Sequence, residues 1–287
     1  MLDFLRAIVY GLVEGITEWL PISSTGHLIL LEKILPFANV SEEFLEMFDV
    51  VIQLGAIIAV VVLFFKKIWP FAFTKKFKEE TGSESVFVKE KWILWAKILV
   101  ACVPAAIVGI LLDDFVDEHF YNYICVAIAL IVFGIAFIVI ETIHKGKDHK
   151  IKSLDDITFK IALIIGIFQV IAAVFPGTSR SGATIVGALL IGVARPVAAE
   201  FTFFLAVPVM FGASLLKGAK FIMESEAGFS GTEVGVLAIG MVVAFAVSLV
   251  VLKFLMNYIK KHDFKVFGWY RIVLGIVVIV AGLTGLI

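Results

Sequence analysis

Charge is scarce in this chain: 17% of its 287 residues are charged against 61% hydrophobic. The mean hydropathy of +1.06 excludes an ordinary water-soluble domain of this size. A net charge of -1 says nothing by itself about nucleic acid, and no basic stripe interleaved with aromatics suggests binding to one. Cysteine is scarcer still. Cys102 and Cys125 stand in apolar runs without metal-ligand spacing, which leaves them as small buried hydrophobes with no redox role. The N-terminus lacks a basic segment followed by a small-residue cleavage site. Gly11 to Leu20 instead contains Glu14 and Glu18, so this region is expected to be retained structure.

What the chain does have is long apolar runs. A hydrocarbon core of about 30 Å needs roughly 20 apolar residues in a helix. Six segments qualify: Met47 to Phe65, Trp92 to Leu112, Tyr121 to Ile140, Val197 to Leu216, Val234 to Leu252 and Gly268 to Ile287. Two further apolar regions, Leu2 to Leu35 and Ile157 to Val193, are each broken near the middle by a proline followed by hydroxyl residues and glycine.

Lysines gather in 66–91, 145–160 and 253–265, whereas Glu42, Glu43, Glu46 and the Asp113 to Glu118 stretch mark loops almost free of positive charge. The positive-inside rule makes the lysine loops cytoplasmic, which puts 36–46, 113–120, 218–232 and the C-terminus outside. Each broken region must then start and finish on one side, the first outside and the second inside. Two full crossings would satisfy the same parity. Ile22 to Leu35, however, reaches only about 21 Å as a helix at roughly 1.5 Å per residue, so re-entrant hairpins are predicted. Non-helical backbone at membrane depth must be buried in protein or line a wet cavity.

An internal repeat accompanies this pattern. Gly11-Leu-Val-Glu14-Gly-Ile-Thr-Glu18-Trp-Leu-Pro21 aligns without gaps on Gly166-Ile-Phe-Gln169-Val-Ile-Ala-Ala173-Val-Phe-Pro176, and a Ser-rich segment ending in glycine follows each. Three spans follow each hairpin. The expected fold is an all-α polytopic membrane protein, a single membrane domain over 1–287. Six transmembrane helices and two re-entrant hairpins would form an inverted-topology pair, approximately 1–143 and 155–287, with the broken helices meeting near the midplane.

The polar residues inside these hairpins are the candidates for chemistry. Glu14 and Glu18, four apart, share one helix face. Ionised acids in an apolar segment cost about 2.5–3.5 kcal/mol each, and a divalent cation, Mg²⁺ or Ca²⁺, is a natural compensation that could also bridge to phosphates. Protonation, or a headgroup-level pocket, is the alternative. The turn Pro21-Ile-Ser23-Ser24-Thr25-Gly26-His27 packs three hydroxyls and an imidazole together. His27 could be the base that activates Ser24 or could itself accept a phosphoryl group. Close helix packing accounts for small residues but not for His27.

The second turn, Pro176-Gly-Thr178-Ser179-Arg180-Ser181-Gly182-Ala-Thr184, leads into a helix N-terminus whose free N–H groups form an anion site. Arg180 adds a planar fork suited to phosphate oxygens. Arg195 and Arg271 begin apolar segments and read equally well as interfacial anchors. Gln53 and Gln169 read as helix–helix glue. Two acids, a hydroxyl–imidazole pair and an arginine turn together suit phosphoryl transfer.

At these residues the sequence resembles the undecaprenyl-diphosphate phosphatase family, also called the bacitracin-resistance protein family. Glu14-Gly-Ile-Thr-Glu18-Trp-Leu-Pro-Ile-Ser-Ser24-Thr-Gly-His27 is similar to its first motif, and Pro176-Gly-Thr-Ser-Arg180-Ser-Gly-Ala-Thr184 to its second. Phe48-Asp-Val-Val-Ile-Gln-Leu-Gly55 and Ala199-Glu-Phe-Thr-Phe-Phe-Leu-Ala-Val-Pro208 extend the likeness over essentially the full chain.

The resemblance implies removal of one phosphate from undecaprenyl diphosphate, recycling the lipid carrier for peptidoglycan synthesis and conferring resistance to bacitracin. By the same likeness Glu14 and Glu18 are metal-associated acids, Ser24 and His27 the catalytic pair, and Ser179, Arg180 and Thr184 phosphate-binding residues. Ser23, Thr25, Thr178 and Ser181 complete the expected phosphate-binding set, and the choice between Ser24 and His27 as nucleophile stays open. The implied setting is the bacterial inner membrane with access from the outer side. The expected partners are undecaprenyl diphosphate and membrane lipids but no nucleic acid, with room for a homodimer.

Three other readings compete. An ion-coupled transporter or lipid flippase shares the inverted-repeat architecture but has no need of His27 beside Ser24. A soluble-type lipid phosphatase would need a late histidine, yet the next after Arg180 is His262. A structural scaffold leaves both polar turns unexplained.

Overall fold

The computed structural model describes residues 1–82, 85–225 and 228–287. Among the described residues the chain is all-helical, and extended backbone pairs only at two isolated bridges, Phe71 with Phe87 and Ile151 with Val193. The first half contains α1 (Leu2–Thr17), α2 (Ser24–Ile34), α3 (Glu42–Val51), α4 (Gln53–Leu63), the short α5 (Phe65–Ile68) and α6 (Lys75–Thr81), then α7 (Lys89–Phe120) and α8 (Tyr123–Ile143). The second contains α9 (Phe159–Val174), α10 (Arg180–Leu190), α11 (Arg195–Glu224), α12 (Gly231–Tyr258) and α13 (Lys265–Leu283).

Six helical segments are long and apolar enough to cross a membrane: Glu42–Leu63, Lys89–Leu112, Tyr123–Ile143, Arg195–Met223, Gly231–Tyr258 and Lys265–Leu283. They correspond to the six predicted spans, so the chain is a multi-pass membrane protein. Most boundaries shift because helices start at capping groups and not at the first apolar residue. Ser41 accepts the Phe44 N–H and so starts α3 within the predicted 36–46 loop. Ser230 and Glu233 form a reciprocal capping box at the start of α12. α7 continues as helix through 113–120, expected to be loop.

Lipid-facing and core-facing sides separate along each span with helical spacing. On α8, Ile124, Ile128, Val132, Ile135 and Val139 are exposed, while Val126, Leu130, Phe133 and Phe137 are buried. In a bilayer such an exposed apolar stripe is the solvent-compatible face.

The helices of the two halves pack across one another. α1 lies on α12, α9 on α7, α8 on α13, and the α3–α4 span on α11. Small residues permit the closest crossings. A Cβ on Gly55 would sit 2.1 Å from the Met241 carbonyl oxygen, and one on Gly166 2.2 Å from that of Ala101, distances at which no side chain fits. The short helices α2 and α10 point their N-terminal ends into the interior, and α10 is buried from Ser181 to Leu189.

Candidate active site

Each broken region turns at a serine in a left-handed backbone conformation. Ser23 has φ 75° and Ser179 has φ 68°, and among the described residues they are the two non-glycine positions with positive φ. Such conformations are costly outside glycine and persist where surrounding structure fixes them. Here each serine is the N-cap of the following helix: Ser23 Oγ accepts the Gly26 N–H at 3.3 Å, and Ser179 Oγ accepts the Gly182 N–H at 3.2 Å. Capping spends one hydroxyl at each turn and directs the next side chain, Ser24 or Arg180, inward.

Those two side chains meet at Glu18. Arg180 Nη2 donates to Glu18 Oε1 at 2.8 Å, and Ser24 Oγ donates to Glu18 Oε2 at 3.2 Å. Both members of the ion pair are nearly buried, with side-chain exposures of 12% and 9%. An arginine and a carboxylate held this far from water interact more strongly than a surface pair would. Ser24, Thr25, Glu18, Ser179 and Arg180 line a common cavity of about 190 Å³ that also includes Gln53. The second predicted turn thus joins the first in one chamber.

Further bonds fix the arginine. Arg180 Nη1 donates to the Thr202 carbonyl at 2.9 Å, Thr184 Oγ1 donates to the Arg180 carbonyl at 2.9 Å, and Thr202 Oγ1 donates to Thr184 Oγ1 at 2.9 Å. Ser181 Oγ lies 3.1 Å from Ser179 Oγ and 3.3 Å from the Glu18 carbonyl. Ser179 therefore faces the chamber while Ser181 and Thr184 support it from behind.

The remaining candidates occupy distinct positions. Glu14 is completely buried and neither carboxylate oxygen has a hydrogen-bond partner. Buried carboxylates demand a partner, and Glu14 has oxygens to offer a cation, as the donor chemistry of Mg²⁺ or Ca²⁺ requires. Among the described residues no group of three His, Cys, Asp or Glu converges. A cation here would take its other oxygens from ligand or water. Gln169, aligned with Glu14 in the repeat, is likewise buried with both amide atoms unpartnered, as is the Thr178 hydroxyl. His27 points toward α13: Nδ1 lies 2.7 Å from the Ser23 carbonyl oxygen, Nε2 lies 2.7 Å from the Tyr270 hydroxyl, and the two rings stack.

Arg271 is not an interfacial anchor: it is fully buried and bonds carbonyls of both turns. Arg195 is tied to the buried Glu141 through two guanidinium nitrogens. Gln53 lines the chamber, Thr202, within the family-like segment Ala199 to Pro208, bonds Arg180 and Thr184, and Tyr270 contributes a bond that no local motif signals. For Arg271 a signal existed, since it lies inside an apolar span, where a charge is expensive and implies a partner.

Fold and site together define a polytopic helical membrane protein enclosing a polar chamber built from two interrupted helices. The chain belongs to the family described as Bacitracin resistance protein BacA, which matches residues 7–277. It is 58% identical over 280 residues to the undecaprenyl-diphosphatase of Desulfitobacterium hafniense, covering 97% of this chain and 96% of that one. It is 55% identical over 274 residues to that of Enterococcus faecalis, covering 96% and 95%. With that of Streptococcus mutans the identity is 50% over 281 residues, covering 98% and 96%.

Proposed function

We infer that this chain hydrolyses undecaprenyl diphosphate to undecaprenyl phosphate and inorganic phosphate, recycling the lipid carrier for cell-wall synthesis and conferring bacitracin resistance. Family membership and full-length relatives named for this activity support the reading. The observation that carries the chemistry is the Ser24–Glu18–Arg180 chain of hydrogen bonds across two interrupted helices.

In this mechanism the diphosphate takes Arg180 from Glu18, because a bidentate phosphate matches the guanidinium fork. The released carboxylate accepts the proton of Ser24, whose Oγ attacks the terminal phosphorus. The bond from phosphorus to the bridging oxygen breaks and undecaprenyl phosphate leaves. Water then cleaves the phosphoserine ester and frees phosphate. Ser24 serves better than His27 as nucleophile because it lines the chamber with Arg180, whereas both His27 nitrogens are engaged elsewhere. His27 with Tyr270 buttresses the Ser23 turn. Ser179 and Thr25 contact phosphate oxygens, while Ser23, Thr178, Ser181 and Thr184 shape the turns. Glu14, with Glu18, would hold a divalent cation, whose chemistry is neutralisation of charge on the leaving phosphates.

The two broken regions act as re-entrant hairpins of an inverted repeat. Matched features support this: left-handed caps at Ser23 and Ser179, and the repeat-aligned Gly11 and Gly166 both pressed on a carbonyl of a span from the other half, Gly240 and Ala101. The setting is the bacterial inner membrane, with the chamber reached from the outer face. Oligomeric state, including a homodimer, is independent of this site, which one chain completes.

Phosphate release by the detergent-purified full chain tests the reading. A polyprenyl diphosphate should be strongly preferred over the matched monophosphate, and Ser24→Ala and Glu18→Gln should abolish release. Full release by both variants would remove the chamber from the mechanism.

A further inference from the structure

Arg271 of α13 is fully buried, and the carbonyls it binds are unusual in belonging to both interrupted helices. Nη2 donates to the Gly177 and Thr178 carbonyls at 2.9 and 2.8 Å, and Nη1 to that of Pro21 at 3.3 Å. Longer bonds of 3.4 Å reach the Ala129 and Leu130 carbonyls of α8. The guanidinium also lies 5.8 Å from the centre of the Phe133 ring. Pro21 stands two residues before the left-handed Ser23, and Thr178 one residue before the left-handed Ser179. One guanidinium therefore holds the segments that lead into both caps, and the residues after those caps are Ser24 and Arg180.

The charge itself has no carboxylate partner within salt-bridge distance among the described residues. A buried ion is expensive unless hydrogen bonds satisfy it, and only a planar fork with five donors can reach this many carbonyls from one position. A lysine would keep the charge and lose the geometry.

We propose that Arg271 is a positioning residue that clamps the two turns at the spacing needed for Ser24 to reach a phosphorus bound by Arg180. This inference rests on the assignment of Ser24 and Arg180 above. Misplacement of reacting groups by about 1 Å can cost on the order of 100-fold in rate. The expected signature is thus in turnover and not in substrate capture.

The test uses the purified full chain with Arg271→Lys and Arg271→Ala, measuring kcat and KM for a polyprenyl diphosphate and the thermal midpoint of each variant. Arg271→Lys should lose about 100-fold in kcat, with KM within a few-fold and a midpoint close to that of the parent. Added guanidinium ion should restore part of the kcat of Arg271→Ala and leave Arg271→Lys unchanged. A Lys variant with kcat within twofold of the parent, or a loss confined to KM or fully tracked by unfolding without guanidinium rescue, overturns the clamp. Ser24→Ala, run alongside, separates the failures: if it retains turnover, the assignment of the nucleophile falls, whereas its inactivity beside an active Arg271→Lys removes only the clamp.

Discussion

At the first turn Ser23 caps α2 with φ 75°, and at the second Ser179 caps α10 with φ 68°. The backbone device is the same, yet the helices behind it are not. α10 is buried from Ser181 to Leu189, whereas α2 buries only Gly26 and Leu28. The second turn is therefore a packed platform, and it carries the arginine, a group that serves best when fixed in advance. The first is less enclosed, and it carries the serine and histidine. The two helix starts share one capping geometry, and packing separates them into an enclosed turn and a more open one.

The strongest way to break this comparison is to remove the arginine of the enclosed turn. Arg180→Ala should lower kcat/KM for a polyprenyl diphosphate by about 10³-fold or more, as removal of a charge-stabilising arginine does in phosphoryl transfer. A loss below tenfold would place the anion elsewhere. Chelation with EDTA should likewise abolish phosphate release, and added Mg²⁺ or Ca²⁺ should restore it. Undiminished turnover without divalent ions would free Glu14 and Glu18 from that role.

Stability measurements sharpen the difference between the turns. Gly177 has φ 90°, and a Cβ there would stand 2.6 Å from the Val126 carbonyl oxygen. Gly177→Ala should therefore destabilise by about 3 kcal/mol, seen as a lowered midpoint in denaturing-detergent titration. Gly26 would meet only side-chain ends, Leu130 at 3.0 Å and Leu274 at 3.3 Å, so Gly26→Ala should cost about 1 kcal/mol. Equal effects would mean that both turns are equally confined. The smallest effect is expected from Tyr270→Phe, which removes the hydroxyl beside His27 Nε2. A loss of about 1 kcal/mol in stability, with kcat within a few-fold, fits a buttress, and a loss in kcat like that of Ser24→Ala would make His27 a participant.

Much of this architecture was legible before any coordinates. The six spans follow from apolar length, whereas which face of each span is buried shows only in the packed structure. The Ser-Ser-Thr-Gly-His and Ser-Arg-Ser-Gly turns announced themselves as polar breaks in apolar surroundings, where backbone polar groups require a structural reason. Helix ends were less legible, because Ser41 and Ser230 start helices outside the apolar windows. For Arg271 two readings stood open, because position near a span's start does not reveal depth. Gln53 and Thr202 stand in segments with family likeness, but nothing local in those apolar runs shows that they reach the chamber or Arg180.

The residues alone determined that this chain must live in lipid, that two helices must break, and that acids, hydroxyls and an arginine would sit at the breaks, since hydropathy, proline and charge act locally along the chain. Only the tertiary structure decided which of those groups touch. The 2.8 Å contact of Arg180 with Glu18 and the carbonyls gathered around Arg271 join residues far apart in sequence, while the 3.2 Å bond from Ser24 to the same carboxylate closes within the first turn; the long-range contacts are set by how helices cross, which no local pattern encodes.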